Sequence, residues 1–264
     1  MKLGFIGTGN MASAIMGGII KNNVIPAEEI IGADLFAPGR ERVQKEYGIN
    51  VTADNKEVAQ KAETIILSVK PQFYESVIAD IKDVVTDKQI IITIAPGKTL
   101  AWLAEQFGKD VKIVRTMPNT PAMVGEGMTA VCPNEHLTED EIAYVKSLLE
   151  SFSRAEIVPE RLMDVVTAVS GSSPAYVFML IEAMADGAVA DGMPRAQAYK
   201  FAAQSVLGSA KMVLETGKHP GELKDQVCSP GGTTIEAVRV LEEKGFRSSV
   251  IEAMKACVRK TRGI

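Results

Sequence analysis

The sequence predicts an α/β chain, with a doubly wound parallel sheet in its first part and helices alone in its second. Over roughly the first 115 residues, short apolar runs rich in β-branched residues alternate with stretches of helical period, the pattern of βαβ units. A glycine-rich turn joins the first of these runs to the next helical stretch. Beyond Pro159 the strand pattern stops and apolar residues recur at helical spacing.

Five strands are predicted before residue 116, each apolar enough to be covered on both faces: 3–6, 30–34, 63–69, 89–94 and 111–115. The segments between them predict helices at 10–21, 40–47, 71–81 and 100–107. Prolines and glycines make the stretch after residue 115 a shaped loop. A strand at 128–132, a helix capped by Thr138 with Glu141 three residues on, and a strand at 155–158 complete the first domain.

The second part predicts a helical bundle with helices at 162–189, 195–215, 220–227, 234–244 and 246–262. Its alanine and methionine content is typical of tightly packed helices and is compatible with a helical dimer interface. A chain of 264 residues has room for two cores. We therefore expect one domain at 1–159 and a second at 160–264.

Composition excludes several classes of partner. The formal net charge of −4, without a Lys/Arg block, argues against nucleic acid and anionic membranes as partners. The three cysteines form no CxxC or Cys/His cluster, so neither a disulfide framework nor a metal site is indicated, and a reducing cytoplasm fits. The longest apolar runs fall short of the ~18 residues that cross a bilayer, so no transmembrane helix is expected. A small molecule is the expected partner.

The first predicted strand leads directly into Gly7-Thr-Gly9-Asn-Met-Ala12, a GxGxxA spacing followed by a helix. Gly7 allows the tight turn, Gly9 lets backbone amides approach a pyrophosphate, and the small Ala12 permits close packing of the helix on the strand. The helix N-terminus, with Asn10 and Met11, adds partial positive charge. The sequence therefore predicts a dinucleotide-binding domain of the Rossmann type.

The choice between NAD and NADP stays open at this stage. Asp34 ends the second predicted strand, where a carboxylate accepts hydrogen bonds from the adenosine ribose and repels a 2′-phosphate, which favours NAD. Arg40 and Arg42 follow nearby, and either could turn toward a phosphate. A solvated charge on a surface helix is the more common role of each.

Loops after other predicted strands lie at the edge where doubly wound sheets bind their ligands. Ser68-Val69-Lys70-Pro71 ends a central strand, so Val69, Lys70 and Pro71 are candidate cofactor contacts. An exposed lysine that merely ends a strand is the alternative role of Lys70. Ala95 and Asn119 follow the next two strands and could line the nicotinamide pocket through backbone contacts.

A second glycine-rich segment, Cys-Ser-Pro-Gly-Gly-Thr-Thr-Ile at 228–235, leads into a helix that is predicted to start at about Thr234. Such a turn presents free backbone amides at a helix N-terminus, and hydroxyl groups stand beside them. The candidate ligand groups are those of Ser229, Gly231, Gly232, Thr233 and Thr234. The pattern indicates either a cradle for a carboxylate or phosphate or a simple helix cap.

Motifs along the whole chain resemble those of the Δ1-pyrroline-5-carboxylate reductase family. They are Gly-Phe-Ile-Gly-Thr-Gly-Asn-Met-Ala at 4–12, Val-Lys-Pro at 69–71, Met-Pro-Asn-Thr-Pro at 117–121, Val-Ser-Gly-Ser-Ser-Pro-Ala-Tyr at 169–176 and His-Pro-Gly-Glu-Leu-Lys-Asp at 219–225. The most specific is Leu-Lys-Asp-Gln-Val-Cys-Ser-Pro-Gly-Gly-Thr-Thr-Ile-Glu-Ala-Val at 223–238. One departure is Ser173, which stands where the family commonly has a second glycine.

This resemblance implies a Rossmann domain followed by an all-α dimerisation domain, with the substrate site where the two meet. It implies a cytoplasmic oxidoreductase that reduces 1-pyrroline-5-carboxylate to L-proline with NADPH or NADH, the last step of proline biosynthesis. Thr234 matches the threonine that hydrogen-bonds the ring nitrogen, and Asn55 matches a cofactor-ribose ligand. The expected assembly is a dimer, with a decamer built as a pentamer of dimers left open.

The residues fit reduction of an imine better than reduction of a ketone. A ketone needs an acid for its developing alkoxide, whereas an imine can enter already protonated. The chain has only His136 and His219, both expected at the surface. Two alternatives are a β-hydroxyacid dehydrogenase, which would need a lysine that 167–184 lacks, and a catalytically idle dinucleotide-binding regulator, against which the intact loop at 229–234 counts.

Overall fold

The computed structural model describes residues 1–263 and divides into two compact units, one of residues 1–172 together with the chain from 258 onward, the other of residues 173–257. The first unit contains eight strands: β1 (Leu3–Ile6), β2 (Ile30–Ala33), β3 (Asn50–Thr52), β4 (Thr64–Leu67), β5 (Ile90–Thr93), β6 (Lys112–Met117), β7 (Gly127–Pro133) and β8 (Ser153–Ile157).

Seven α-helices belong to the same unit: α1 (Asn10–Lys21), α2 (Ala37–Tyr47), α3 (Asn55–Lys61), α4 (Tyr74–Ile81), α5 (Leu100–Phe107), α6 (Glu139–Glu150) and α7 (Met163–Val166). The remaining helices are α8 (Ser173–Ala190), α9 (Arg195–Thr216), α10 (Pro220–Val227), α11 (Thr233–Glu243) and α12 (Phe246–Arg262).

One eight-stranded sheet has the order β3-β2-β1-β4-β5-β6-β7-β8. All neighbouring pairs are parallel except β6 and β7, which are antiparallel. The chain winds outward from β1 to β3 and then returns to place β4 on the other side of β1, so the order reverses between β1 and β4. A reversal of this kind opens a crevice at the carboxyl ends of the strands. The predicted fold class, a doubly wound sheet followed by helices, is confirmed.

The strands are apolar because helices cover both faces of the sheet. Along β4, Ile66 packs into the core on one face, while Ile65 and Leu67 pack into the core on the other, and all three are fully buried. Alternate residues of a strand point to opposite faces, so a strand buried on both sides reads as a continuous apolar run. This pattern made the central strands recognisable in the sequence.

The strand β3 and the helix α3 were not predicted from the sequence. The strand β3 has only three residues, lies at the sheet edge and is not buried, so it lacks the apolar run of the central strands. The helix α3 has seven residues, too few for a clear helical period. The capping box on α6 is present as predicted, with reciprocal hydrogen bonds between Thr138 and Glu141.

The stretch predicted as one helix over 162–189 is a broken helical run. It consists of a 3-10 turn, the short helix α7, a π-helical turn at Thr167–Gly171 and then α8. Ser173 is the first residue of α8 and does not have a positive φ. The family glycine is therefore not required here for a left-handed backbone, and the serine causes no strain.

The second unit has almost no core of its own. Only three of its side chains are buried, those of Ala185, Ala198 and Ala202. Large apolar side chains are instead exposed, including Phe178 at 62% and Met179 at 69%. Exposed apolar surface on this scale marks an interaction site. The unit therefore needs a partner surface, as the expected dimer interface would provide.

One helical segment, Glu160–Ala190, is long and apolar enough to cross a membrane by length and composition, with a mean hydropathy of 1.3 in its most apolar window. The prediction of no transmembrane helix was based on uninterrupted apolar runs and not on the mean over a helix, and it stays a prediction. Only 11% of that window is buried. An interface between two copies of the chain would leave the same helix exposed in a single copy.

Candidate functional site

The carboxyl ends of the central strands surround a cavity of about 450 Å³, named the strand-end cavity. Its lining comes from the segments that follow β1, β4, β5 and β6, together with Gly171 of the π-helical turn. The predicted cofactor residues that meet at it are Gly9, Asn10, Met11, Val69, Lys70, Pro71, Ala95 and Asn119. Residues far apart in sequence converge here because parallel strands end at one edge of the sheet.

The glycine-rich turn has the geometry that its sequence predicts. Gly7 has a φ of +98°, and a Cβ on it would lie 2.8 Å from the backbone carbon of Ser68. The turn therefore requires glycine for conformation and for the close approach of β4. Gly9 differs, because a Cβ there would meet no atom within 4 Å, so its surface is open. Ala12, in the first turn of α1, is fully buried in the core.

A second cavity, of about 260 Å³, lies beside the first and is named the lateral cavity. Four predicted cofactor residues line it: Gly7, Asp34, Asn55 and Val69. Three exposed apolar side chains that were not predicted from the sequence as site residues also line it, those of Leu35, Phe36 and Phe73, which are 84%, 67% and 52% exposed. The signal in the sequence that could have identified them is their apolar character in the segments after strands, where polar turn residues are common.

Asp34 connects the end of β2 to the glycine-rich turn. Its Oδ2 accepts hydrogen bonds from the backbone N–H of Thr8 at 2.8 Å and from the Thr8 hydroxyl at 3.0 Å. Its Oδ1 accepts from the backbone N–H of Phe36 at 3.0 Å. The carboxylate thus holds the turn at the mouth of the lateral cavity.

Arg40 and Arg42 are not simply solvated charges, which corrects the role expected for them. Arg40 donates from Nη1 to the backbone carbonyl of Asp34 at 2.5 Å. Arg42 donates from Nη2 to the carbonyl of Thr8 at 2.8 Å and to the hydroxyl of Ser13 at 2.9 Å. Both guanidinium groups bind the backbone around the glycine-rich turn.

Asn119 is a structural clamp as well as a cavity residue. Its Nδ2 donates to the carbonyl of Ser170 at 3.0 Å, and its Oδ1 accepts from the N–H of Met128 at 2.8 Å. The side chain thereby joins the loop after β6 to the π-helical turn and to β7. The side-chain amide is committed to these contacts, so a contact with a ligand in the strand-end cavity would come from the backbone of this loop.

Tyr74 fixes two of the strand ends that line the strand-end cavity. Its hydroxyl donates to the carbonyl of Leu67 at 2.5 Å and accepts from the N–H of Ile94 at 3.3 Å. Burial raises the pKa of Tyr74 well above its ordinary value, so the phenol stays protonated and keeps donating. The ends of β4 and β5 are therefore held in a fixed relation.

The two cavities fit a dinucleotide. The open surface of Gly9 lies at the N-terminus of α1, where free amides and the helix dipole favour a pyrophosphate. The helix has no side-chain cap that would compete for those amides. Asp34 lines the lateral cavity, where its carboxylate can bind a ribose at one end of the dinucleotide. The strand-end cavity has room for the ring at the other end.

The second glycine-rich segment forms a turn before α11, within the other compact unit. Gly231 has a φ of +67°, and Gly232 is the N-cap of α11, which starts at Thr233. The N–H of Gly232 donates to the carbonyl of Ser229 at 3.0 Å, so this predicted ligand amide instead closes the turn. No side chain caps the helix, which leaves the amides of its first turn open. Thr234 is half-buried at this end.

The histidines and the acidic residues give no sign of other catalytic centres. His219 is the N-cap of α10 and accepts from the N–H of Gly221 at 3.0 Å through Nδ1. His136 lies 3.8 Å from Asp110 and is partly exposed. Among residues 1–263, no group of three or more His, Cys, Asp or Glu side chains could hold a metal ion.

Two family models match the chain. Residues 160–264 match the model described as pyrroline-5-carboxylate reductase dimerisation, and residues 2–97 match the model described as NADP oxidoreductase coenzyme F420-dependent. The curated pyrroline-5-carboxylate reductase of Escherichia coli is 53% identical over 264 residues, covering 98% of this chain and 97% of that protein. The curated enzyme of the same name from Synechocystis is 45% identical, covering 99% and 97%.

Solved structures give the same picture. The pyrroline-5-carboxylate reductase of Coxiella burnetii superposes with a TM-score of 0.92 at 34% identity, covering 99% of this chain and 97% of that one. The pyrroline carboxylate reductase of Plasmodium falciparum, solved with NADP bound, superposes with a TM-score of 0.91 at 33% identity, covering 100% and 97%.

Proposed function

Because the chain belongs to the pyrroline-5-carboxylate reductase family, we propose that its two glycine-rich segments divide the tasks of one reduction. The chain reduces 1-pyrroline-5-carboxylate to L-proline with NADPH or NADH. In the proposal, the turn at 7–12 and the two cavities hold the dinucleotide. The turn at 229–234 holds the carboxylate of the substrate.

The observation that carries this assignment is the pair of open helix N-termini. Both α1 and α11 begin without a side-chain cap after a glycine turn, so each offers backbone amides and partial positive charge to an anion. A dinucleotide needs one such site for its pyrophosphate, and an imine carboxylate needs another. The cavities beside α1 suit the larger ligand, which leaves α11 for the carboxylate.

The reduced nicotinamide, when bound, supplies the hydride that reduces the C=N bond. The residues of the chain then bind and orient. The amides of Gly231, Thr233 and Thr234 hold the carboxylate, while the hydroxyl of Thr234 orients the ring nitrogen. No protein acid is required, because a protonated imine is already activated. Catalysis by this chain is therefore mainly positioning.

Removal of the Thr234 hydroxyl tests this assignment. We expect Thr234→Ala to lower kcat/KM for the imine by about tenfold, since it loses one hydrogen bond to a charged ligand. The affinity for NADH, measured by fluorescence titration without substrate, is expected to stay unchanged. The measurement is the rate of nicotinamide oxidation with 1-pyrroline-5-carboxylate.

The conservative variant Thr234→Ser keeps a hydroxyl and serves as the control. It is expected to recover most of the lost activity. A Thr234→Ala chain with the turnover of the parent would remove this residue from the mechanism. Loss of activity in both variants together with weakened NADH binding would indicate a general structural defect and contradict the assigned role.

Self-association follows from the family match over 160–264 and from the exposed apolar surface of the second unit. We propose a dimer as the unit of assembly, a pentamer of such dimers as the complete particle, and the cytoplasm as its location. Light scattering is expected to give ten times the chain mass of 28.3 kDa at high concentration and two times that mass on dilution. A monomer with full activity, or recovery only in the membrane fraction, would contradict this assembly.

A further inference from the structure

Among residues 1–263, the carboxylate of Asp34 accepts three hydrogen bonds, which leaves one acceptor position, and Asp34 lines the lateral cavity. A carboxylate oxygen accepts two hydrogen bonds, and Oδ2 already accepts both the N–H and the hydroxyl of Thr8. Oδ1 accepts only the N–H of Phe36. The remaining position can accept a hydroxyl group, because a hydroxyl can donate. A phosphate monoester is mostly dianionic at neutral pH, so it does not donate a hydrogen bond to this acceptor position.

Among the described residues 1–263, no lysine or arginine lines this cavity to balance a phosphate. Of the two nearby guanidinium groups, Arg40 is bound to the carbonyl of Asp34. Arg42 is bound to the carbonyl of Thr8 and the hydroxyl of Ser13, and its Nη1 lies 3.5 Å from the carboxylate of Glu46. Arg42 would have to give up these contacts to meet a phosphate. Arg40 uses one of its five N–H donors for the carbonyl of Asp34, so it is the competing phosphate ligand that the variant Arg40→Met tests.

We propose that Asp34 makes this chain prefer NADH to NADPH. The inference rests on the proposed function and deepens it by assigning the dinucleotide. The 2′-phosphate that distinguishes NADPH carries a charge of about −1.5 to −2 at neutral pH. In the lateral cavity, whose described lining has no lysine or arginine, it would face the fixed carboxylate of Asp34, and like charges repel. The ribose 2′-hydroxyl of NADH meets an acceptor at the same place.

The preference is built into the fold because Asp34 cannot turn away. Two of its three hydrogen bonds join the end of β2 to Thr8 of the glycine-rich turn, and the third binds the N–H of Phe36, so moving the carboxylate would also release Thr8. The same residue therefore selects the dinucleotide and holds the turn that binds its pyrophosphate. A substitution of Asp34 is expected to lower the affinity for both dinucleotides. The ratio of the two Kd values is therefore the quantity that reports which dinucleotide is preferred.

Fluorescence titration of the purified chain with NADH and with NADPH, in the absence of substrate, tests the proposal. The parent chain is expected to bind NADH about tenfold more tightly or better. Asp34→Ser removes the charge and keeps a hydroxyl that can accept from Phe36. It is expected to shift the ratio of the two Kd values toward NADPH by about tenfold or more, and Asp34→Asn, which keeps the size, is expected to shift it in the same direction.

Two control variants test whether Asp34, and not another charged residue, sets the ratio of the two Kd values. Asp87→Asn removes the same charge from an exposed position just before the central strand β5, at the amino ends of the parallel strands and not at their carboxyl ends, and is expected to leave the ratio unchanged. Arg40→Met is expected to leave it unchanged as well. If Arg40→Met weakens NADPH and spares NADH, this arginine binds the phosphate and the proposal is overturned.

Equal affinities in the parent chain, or an unchanged ratio in both Asp34 variants, would also overturn it. Because the titration needs no imine, it gives a result even if the chain failed to reduce 1-pyrroline-5-carboxylate. A failure of the proposed function and a failure of this inference are therefore distinguishable.

Discussion

The Gly9→Ala variant is expected to bind NADH about 100-fold more weakly than the parent chain while unfolding at the same temperature. The Cβ would meet no protein atom within 4 Å, and the backbone of Gly9 is extended with a φ of −69°, so alanine fits the chain itself. The methyl group would instead occupy the space that the pyrophosphate needs in order to reach the amides of α1. Loss of such charge-assisted hydrogen bonds costs about 1.5–3 kcal/mol.

Gly17→Ala provides the matched control for this substitution. Gly17 lies on the same helix, where a Cβ would be 3.4 Å from the ring of Tyr47, and alanine is the better helix former. It is expected to keep the parent affinity for NADH, measured by fluorescence titration, with an equal or higher Tm. Parent-like binding by Gly9→Ala would show that the dinucleotide does not approach the turn at this residue.

Replacement of Arg115 by methionine is expected to lower the free energy of unfolding by about 3 kcal/mol. Arg115 lies on β6 with its side chain only 5% exposed, and its guanidinium is 2.9 Å from Glu160 and 3.8 Å from Asp164. Glu160 also accepts from the N–H of Leu100 at 2.7 Å. The arginine thus holds the start of the helical run 160–190 against the sheet. Its removal leaves the carboxylate of Glu160 without its ionic partner, whereas Asp164 keeps Arg262 at 3.2 Å.

Lys112→Met is the control, because Lys112 lies on the same strand and pairs with Glu141 at 2.6 Å, and its side chain is 22% exposed against 5% for Arg115. That pair is expected to contribute about 1 kcal/mol or less. Urea unfolding gives the measurement. Adding Glu160→Gln to Arg115→Met should recover part of the loss, since one uncompensated charge disappears. Equal effects of the two single substitutions would contradict a special role for the buried pair.

The same buried group affects Cys132 on the neighbouring strand. Burial, with a smaller contribution from Glu160, raises the pKa of the Cys132 thiol, while Arg115 acts in the opposite direction. A thiol with a raised pKa is a poor nucleophile at neutral pH.

Local chemistry made the sheet and the first glycine turn predictable. Strands covered on both faces must be apolar throughout, so β1, β2, β4, β5 and β6 were visible as apolar runs. The glycine-rich turn was visible because its geometry allows little else: a φ of +98° and a neighbouring backbone carbon at 2.8 Å leave only glycine at position 7. The capping box of α6 lies within four residues and depends on nothing distant.

Features that depend on tertiary contact could not be predicted in this way. The binding of Arg42 to the carbonyl of Thr8 joins residues 34 positions apart, and the binding of Asn119 to the carbonyl of Ser170 joins residues 51 apart. Nothing local to Arg42 distinguishes it from a surface charge. The π-helical turn at 167–171 likewise has no signal in the apolar spacing, which only predicts a helix.

The second glycine-rich segment has one feature that the sequence predicts and one that depends on the three-dimensional structure. Its turn and the start of α11 were predicted to within one residue, because glycines and a following helical period are local signals. The use of the Gly232 N–H to close the turn was not predicted, since that contact depends on the turn geometry. The cradle therefore has one amide fewer than the sequence indicates.

A crystal structure of the chain with bound L-proline tests most directly whether the start of α11 holds the carboxylate of the substrate. We expect the proline carboxylate to accept hydrogen bonds of about 3 Å from the N–H groups of Thr233 and Thr234, with the Thr234 hydroxyl at the ring nitrogen. Proline bound elsewhere, or this end of α11 covered by other parts of the protein, would contradict the assignment.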